Sequence, residues 1–269
     1  MNEEIIANQF ARLGARFKIV HPEPGRRRMA PASDYSVDIR RDNRGEYFEL
    51  SVSKLTAGMI DIAVLQVQPH ERHLLLLVKK PTSKDRFLCG HDEREWFVAA
   101  VPGGVSSVED AKDALKPEGV RFAEQRATLT RAQRNRRHNR AFVRQGEWFF
   151  VPESNLAVDP RAILRNEPIR RGSGKPHFVA ELHRCGGQEV FVCSRHPNGI
   201  AGDAYRALIG EEPAAKRWGW RQMVRDVRVY ARGTVRHPDH KTITLHDWHR
   251  VWMNTETRAP TMRHVAFLD

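Results

Sequence analysis

The chain has 269 residues, enough for one large domain or two small ones, and 40% of them are apolar, so it can bury a core. Lysine and arginine number 45 against 33 aspartates and glutamates, and this net charge of +12 favours a polyanionic partner such as nucleic acid, because phosphate contacts release condensed counterions. No apolar run approaches the roughly 20 residues that span a bilayer, and the three cysteines lack the spacing of a disulfide framework, so we expect a cytoplasmic protein without a membrane partner.

Residues 1–118 predict an α+β domain built on a mostly antiparallel sheet. It opens with the amphipathic helix "EEIIANQFARLG", capped by Asn2 and ended by Gly14, and this acidic start lacks the features of a signal peptide. Alternating apolar residues in "DYSVDIR" and "EYFELSVS" around the turn "DNRG" predict a hairpin. Ser106 and Glu109 are spaced as a capping box for the helix "VEDAKDALKP".

The stretch "CGHDEREWF" places His91, Asp92 and Glu93 together after a predicted strand. These residue types can bind a divalent metal or act as acid and base. Neighbouring residues on an extended chain point to opposite sides, so at most two of the three can converge. We therefore interpret the stretch as a polar hairpin turn.

Residues 119–145 form an arginine-rich connecting segment with eight arginines and one acid between Arg121 and Gln145. If the segment is helical, the spacing of three and four puts several arginines on one stripe. Arginine suits phosphate and can also stack on bases. The alternatives are a solvated helix between domains and a helix that docks on an acidic protein. The predicted nucleic-acid-binding residues are Arg131, Arg134, Arg136, Arg137, Arg140 and Arg144.

Residues 146–269 predict a β-rich domain of small barrel or sandwich type, because short alternating strands are separated by turns rich in Gly, Pro, Asn and Asp. A helix is predicted at "GDAYRALIG". The alternation in "EWFFVP" predicts that its aromatic residues belong to the core. The stretch "RRGSGKPH" lacks the spacing of a P-loop and precedes a strand rather than a helix, so we reject a phosphate loop there.

Four histidines crowd the stretch "RHPDHKTITLHDWHRVWMNTE" with the spacing H-x2-H-x5-H-x2-H. Residues three apart on a strand lie on opposite faces, so His237 and His240 converge only if "HPDH" is a turn, as its proline and aspartate predict. His246 and His249 flank an aromatic strand, and we interpret them as structural. The spacings do not fit a structural zinc site of cysteine and histidine.

Three segments of this half together resemble a family of small bacterial and phage proteins: "RQGEWFFVP", "GSGKPH" and "RHPDHKTITL". Those proteins have an RQGD-type opening strand, a Gly-rich segment ending in histidines and an HPEH-like segment. The resemblance implies a compact β-fold and carries no established activity. It covers about half the chain, and this sequence departs from it by Glu147 in place of the aspartate and Lys175 in place of the first histidine.

The matched positions make His177, His237 and His240 the set that we expect to converge, with Lys175 beside them. Three imidazoles with an open position could hold Zn²⁺, Mn²⁺ or Fe²⁺ for hydrolysis or oxidation. Without a metal, two histidines and Lys175 could cleave RNA by acid–base catalysis, with the lysine offsetting phosphate charge. In a third interpretation the histidines only hydrogen-bond turns.

We therefore expect a nucleic-acid-binding protein, with RNA slightly favoured over DNA because arginine and aromatic side chains suit single strands. The alternatives are a nuclease, either histidine-based or metal-dependent, and an interaction module for an acidic protein. A divalent metal is the one cofactor that the residues suggest.

Overall fold

In the computed structural model, residues 3–21, 34–171 and 174–256 are described. The described residues form two compact units, one made of those up to Pro117 together with residues 254–256, and the other of those between Glu118 and Met253. Below they are called unit 1 and unit 2. Within the described ranges no helix has both the length and the apolar character needed to cross a membrane. The arginine cluster at 26–28, the predicted cap Asn2 and Gly172 lie outside these ranges.

Unit 1 combines helices with two sheets. A three-stranded sheet has the order β1-β3-β2, with β1 parallel to β3, and a four-stranded antiparallel meander runs β4-β5-β6-β7. The elements are α1 (Glu3–Ala11), β1 (Phe17–Val20), β2 (Tyr35–Asp42), β3 (Gly45–Val52), β4 (Asp61–Gln68), β5 (His73–Lys79), β6 (Lys84–Asp92), β7 (Glu95–Val101) and α2 (Val108–Ala114).

The sequence patterns of unit 1 predict its local structure well. The predicted hairpin is β2 with β3, closed where Asp42 pairs with Gly45. "CGHDEREWF" is the hairpin turn between β6 and β7, with Glu93 at a positive φ of 54°. The predicted capping box is wrong by one residue, because Ser107, whose side chain accepts from the Asp110 amide, caps α2.

Unit 2 is dominated by a six-stranded antiparallel sheet with the order β10-β11-β15-β16-β9-β8. A second sheet of three strands has the order β13-β12-β14. The elements are α3 (Glu118–Arg126), α4 (Arg131–Arg134), β8 (Val143–Gln145), β9 (Trp148–Pro152), β10 (Leu164–Ile169), β11 (His177–Cys185), β12 (Gln188–Cys193), β13 (His196–Ala201), α5 (Gly202–Glu211), β14 (Arg221–Arg225), β15 (Arg228–Arg236) and β16 (Ile243–Met253).

The large sheet of unit 2 is buried on both faces along β9. Trp148 and Phe150 join Val179, Leu182 and others in one core cluster, whereas Phe149 faces a second cluster with Phe142. Successive side chains of a strand point to opposite faces, so the run of aromatics serves two cores. All four aromatics of this region are therefore core residues, as the alternation predicts.

Residues 119–145, expected as a connecting segment, belong to unit 2. Helix α3 buries Val120, and Leu129, Ala141 and Phe142 complete a core cluster with Phe149 of β9. These apolar residues are too far apart in sequence to form one face of a helix. The turns of the segment bring them together in one core cluster instead. The segment packs against the sheet instead of linking two domains.

The helices and sheets together confirm the predicted α+β class. Among the described residues of unit 2 we find no closed barrel, because the large sheet ends at β10 on one side and β8 on the other. The sequence pattern predicts separate strands at "KTITL" and "HRVWMN", but in the structure both belong to one long strand, β16. The predicted helix at "GDAYRALIG" is α5.

Candidate metal centre

The pairing of β11 with β15 brings His177 to His237. Phe178 pairs with Arg236 in this antiparallel ladder, so the next pair outward is His177, the first residue of β11, and His237, just beyond β15. Their rings stack with centroids 4.1 Å apart and planes 23° apart. Sixty residues of sequence separate the two histidines, and the strand register removes that separation.

The turn after β15 adds His240. Pro238 and Asp239 reverse the chain, and the His240 ring lies 4.6 Å from that of His237 and 5.6 Å from that of His177, centroid to centroid. One ring nitrogen of each histidine lies within 4.8 Å of the others. We call these three residues the histidine cluster. The structure thus brings together all three histidines of the predicted set.

Gly146 faces the histidine cluster from the two-residue turn between β8 and β9. A Cβ atom at this position would lie 2.8 Å from Nε2 of His240 and 3.4 Å from Nε2 of His177. Gly146 also has φ +57°, a conformation that glycine adopts at little cost. Both Nε2 atoms therefore lie close to Gly146, where any side chain would crowd them.

Gln145 ties this turn to the loop that carries two of the histidines. The side chain is buried, and its Nε2 donates to the carbonyls of Val235 at 3.2 Å and Lys241 at 2.8 Å. These carbonyls lie on either side of the "HPDH" turn. Gln145 therefore fixes the turn relative to the β8–β9 hairpin, as an outer-shell residue of a metal site does.

Burial sets the protonation state of His177. The residue is 1% exposed, and in the described structure neither ring nitrogen has a hydrogen-bond partner. Burial, with the nearby rings of His237 and His240, lowers the pKa of His177 to about 3. The imidazole is therefore neutral near pH 7, so a nitrogen lone pair is available to a metal ion.

Asp239 and Lys175 surround His237. The Asp239 amide donates to Nδ1 of His237 at 3.2 Å, and the Asp239 carboxylate forms an ion pair of 2.6 Å with Lys175. Burial and the neighbouring His240 lower the pKa of His237, partly offset by Asp239 and by a hydrogen bond with the Lys175 backbone. In a metal-bound form one of these ring hydrogen bonds would yield to the ion, and the other would orient the ring.

An open cleft lies beside His237. It has a volume of about 440 Å³ and is lined by Asn166, Phe178, Arg236, His237 and Pro238. Arg236 donates to the Asn166 side chain at 2.7 Å. An exposed aromatic ring, a guanidinium and an amide thus border the histidine cluster.

The donor set fits a zinc ion. Zinc–nitrogen bonds of about 2.0–2.1 Å place the nitrogens of tetrahedral ligands about 3.3 Å apart. The ligand nitrogens of the cluster lie within 4.8 Å of one another, so small ring rotations would bring them to the zinc-bound separation. Imidazole suits zinc, copper, iron and nickel, whereas Mn²⁺ prefers oxygen ligands and the common Fe²⁺ site adds a carboxylate. Asp239, the adjacent carboxylate, is paired with Lys175.

The predicted arginines do not form a helical stripe. Helix α4 ends at Arg134, and Asn139, whose side chain accepts from the Ala141 and Phe142 amides, makes a turn before Arg144 enters β8. Their environments differ: Arg131, Arg136 and Arg140 are exposed, Arg134, Arg137 and Arg144 are half-buried. The segment forms a hairpin with arginines scattered along it. The second strand of this hairpin, β8, leads into Gly146.

The other predicted residues lie apart from the cluster. On β16, His246 is exposed, whereas His249 is buried with Nδ1 2.8 Å from the Asp247 carbonyl. Sequence reasoning missed Gln145 and Gly146, although both lie in the quoted "RQGEWFFVP" segment. The sequence held no signal for either residue, because their places depend on how the strands pair.

Comparison with known proteins gives no match from protein-family models, from curated proteins or from solved structures.

Proposed function

We propose that this protein is a zinc-dependent hydrolase that cleaves a phosphodiester of nucleic acid. The observation that carries the proposal is that His177, His237 and His240 hold ligand nitrogens within 4.8 Å of one another, with His177 and His240 beside Gly146. Three protein ligands with a remaining position for water are the usual composition of a catalytic zinc site. The segments that support the resemblance to the bacterial and phage family contribute these same residues.

The proposed reaction consumes one water molecule. A zinc ion held by His177, His237 and His240 would lower the pKa of a bound water to about 7 and so would supply a nucleophile at neutral pH. The water oxygen bonds to phosphorus and loses one proton, the bond from phosphorus to the leaving sugar oxygen breaks, and that oxygen takes up one proton. A phosphomonoester and a hydroxyl result, so atoms and charge balance.

Burial favours this mechanism over metal-free cleavage by the same histidines. A general acid or base must reach the proton that it transfers, and its pKa should lie near the working pH. His177 is 1% exposed and its pKa lies at about 3, so it does neither. Lys175 pairs with Asp239 rather than facing an empty phosphate position.

The charge supports nucleic acid as the substrate. The net charge is +12, and Arg136 and Arg140 are exposed on the hairpin that leads to Gly146. Arg236 and Phe178 in the cleft beside His237 suit a phosphate and a base. A nucleic-acid substrate also agrees with the cytoplasmic location expected from three cysteines that form no disulfide.

Metal analysis of the purified protein, followed by a cleavage assay, tests the proposal. We expect about one zinc per chain, cleavage of labelled RNA or DNA that a chelator abolishes, and recovery when Zn²⁺ is restored. His240→Ala should lose both zinc and cleavage, while the matched variant His246→Ala, an exposed histidine of β16, should keep them. Full cleavage by His240→Ala, or by the chelated protein, contradicts the proposal.

A nucleic-acid-binding protein with a structural zinc ion is the second candidate. The deep burial of His177 favours it, because a structural ion is enclosed by its ligands. Zinc at 100 times its dissociation constant would then add about 2.7 kcal/mol to the free energy of unfolding. Zinc-dependent stability and binding without any cleavage would support this candidate over the first.

A further inference from the structure

The segment "KRWGWR", Lys216–Arg221, carries two tryptophans and three cations in six residues. It leads into β14, at the edge of the three-stranded sheet of unit 2. His196 begins β13 and contacts both tryptophans. We call His196, Trp218 and Trp220 the tryptophan face.

The three rings of the tryptophan face are nearly parallel. The interplanar angles are 17°, 18° and 22°, and the centroids are 5.4 Å apart for His196 and Trp220 and 6.1 Å for the other two pairs. If the three rings were stacked in one column, the distance between the two outer centroids would equal the sum of the two shorter distances. These separations are nearly equal, so the rings are offset side by side and present faces with a common direction.

Trp220 is the fixed member of this face. Its Nε1 donates to the Ala215 carbonyl at 2.8 Å, and its ring meets that of Tyr205 edge-on at 5.0 Å. Tyr205 stacks in turn on Phe191 at 4.0 Å. Trp218 is half-buried, with the parallel rings of His196 and Trp220 and the Arg195 guanidinium beside it. Among the ring contacts of the described residues Trp218 has none edge-on, so it is the member suited to a further parallel ring.

Positive charge borders Trp218. The Arg195 guanidinium lies 4.1 Å from the centroid of its ring, so a planar cation already reaches one face. Lys216, Arg217 and Arg221 are all exposed. Gly219, between the tryptophans, has nothing within 4 Å of the position of a Cβ atom, so a ligand can approach the backbone there.

We infer that the tryptophan face binds single-stranded nucleic acid, with a base stacked on Trp218 and phosphates on Arg195, Lys216, Arg217 and Arg221. Aromatic faces bordered by cations bind single strands in this way, because every base has a π-face, whereas the paired bases of a duplex do not expose theirs. The carboxylates of an acidic protein would pair with the cations but would not stack on the parallel rings, so nucleic acid accounts for both features. The inference rests on the proposed nucleic-acid substrate and specifies that the protein binds it as a single strand.

Fluorescence anisotropy with the full-length protein tests the inference. The probes are labelled 15-nucleotide single strands of RNA and DNA and the duplex of the same sequence, all in chelator so that cleavage does not interfere. Removing a stacked ring typically weakens binding by about 5- to 150-fold. We expect that loss for Trp218→Ala on single strands, a much smaller change on the duplex, and partial retention in Trp218→Phe.

Phe122→Ala is the matched control. Phe122 is 59% exposed on α3 of the same unit and also has an arginine, Arg126, 5.9 Å from its ring centroid. Its substitution should leave binding unchanged. Quenching of the wild-type tryptophan fluorescence by the single strand, which should be weaker in Trp218→Phe, provides a measurement that does not depend on the stability of the alanine variant.

The outcomes separate this inference from the proposed function. Unchanged binding by Trp218→Ala, or equal losses in Trp218→Ala and Phe122→Ala, overturns the role of the tryptophan face and leaves the zinc-dependent hydrolase standing. If the wild-type protein binds no single strand but binds polyglutamate, the face serves an acidic protein, and the inference is overturned. Zinc content and cleavage are measured separately on the wild-type protein.

Discussion

Gly146→Ala is expected to block zinc binding while leaving the fold intact. The added methyl would lie 2.8 Å from Nε2 of His240 and 3.4 Å from Nε2 of His177. An ion bonded to these nitrogens at about 2.0–2.1 Å would occupy the same space. The left-handed φ of +57° adds a backbone cost of about 1–2 kcal/mol for alanine, which any comparison must remove.

Gly103→Ala removes that cost from the comparison. Gly103 has φ +78° and nothing within 4 Å of the position of its Cβ atom, so this variant carries the backbone penalty without the collision. We expect both variants to melt a few degrees lower than wild type. Only Gly146→Ala should bind zinc less tightly, by about 100-fold or more, since even outer-shell changes cost 10–100-fold.

Isothermal titration of the metal-free proteins with Zn²⁺ measures this difference. Circular dichroism reports whether the variants keep their strand content. Equal zinc affinity in Gly146→Ala, Gly103→Ala and wild type would refute the reasoning. The nitrogens that face Gly146 would then not be the metal-binding atoms.

Three further predictions concern other residues of unit 2. Gln145→Leu should lower the free energy of unfolding by about 1–3 kcal/mol, because the Val235 and Lys241 carbonyls lose their buried donor. The same variant should bind zinc about 10–100-fold more weakly. Denaturant unfolding and zinc titration measure the two effects, and wild-type values for both would contradict the bridging role of Gln145. Burial lowers the pKa of His249 below 6.5, so the unfolded chain binds a proton first and stability should fall as the pH drops below that value. Urea unfolding from pH 8 to 5 should show a smaller fall in the free energy of unfolding for His249→Gln than for wild type. An identical dependence on pH in the two proteins would exclude His249 as a cause of the fall. Arg136→Gln should reduce the salt-dependence slope of single-strand binding by about 0.7 if this exposed side chain contacts a phosphate; an unchanged slope would exclude that contact.

The approach of His237 to His240 could be predicted from local chemistry, because Pro238 and Asp239 indicate a turn. His177 entered the predicted set only through the resemblance of the three segments to the bacterial and phage family. The places of Gly146 and Gln145 could not be predicted. They depend on which strands pair with β9 and on where the β8–β9 turn meets the loop after β15, and sequence spacing carries no information on either.

The arginine segment shows the opposite outcome. Periodic arginines favoured a helix, but tertiary packing decided the structure: Asn139 closes a turn, and Ala141 and Phe142 are buried against β9. The sequence pattern divides β16 into "KTITL" and "HRVWMN", because the polar residues His246 and Asp247 interrupt the apolar ones. Both are exposed on a strand whose Leu245, Trp248 and Val251 are buried.

The register of β11 and β15 gives the metal ion a second meaning, as a reporter of folding. A slip of one residue would turn His177 to the opposite face of the sheet and separate it from His237. High-affinity zinc uptake would therefore begin only when these two strands, which bring together histidines sixty residues apart in sequence, have reached their final alignment. The time course of zinc capture during refolding would mark the completion of this long-range pairing.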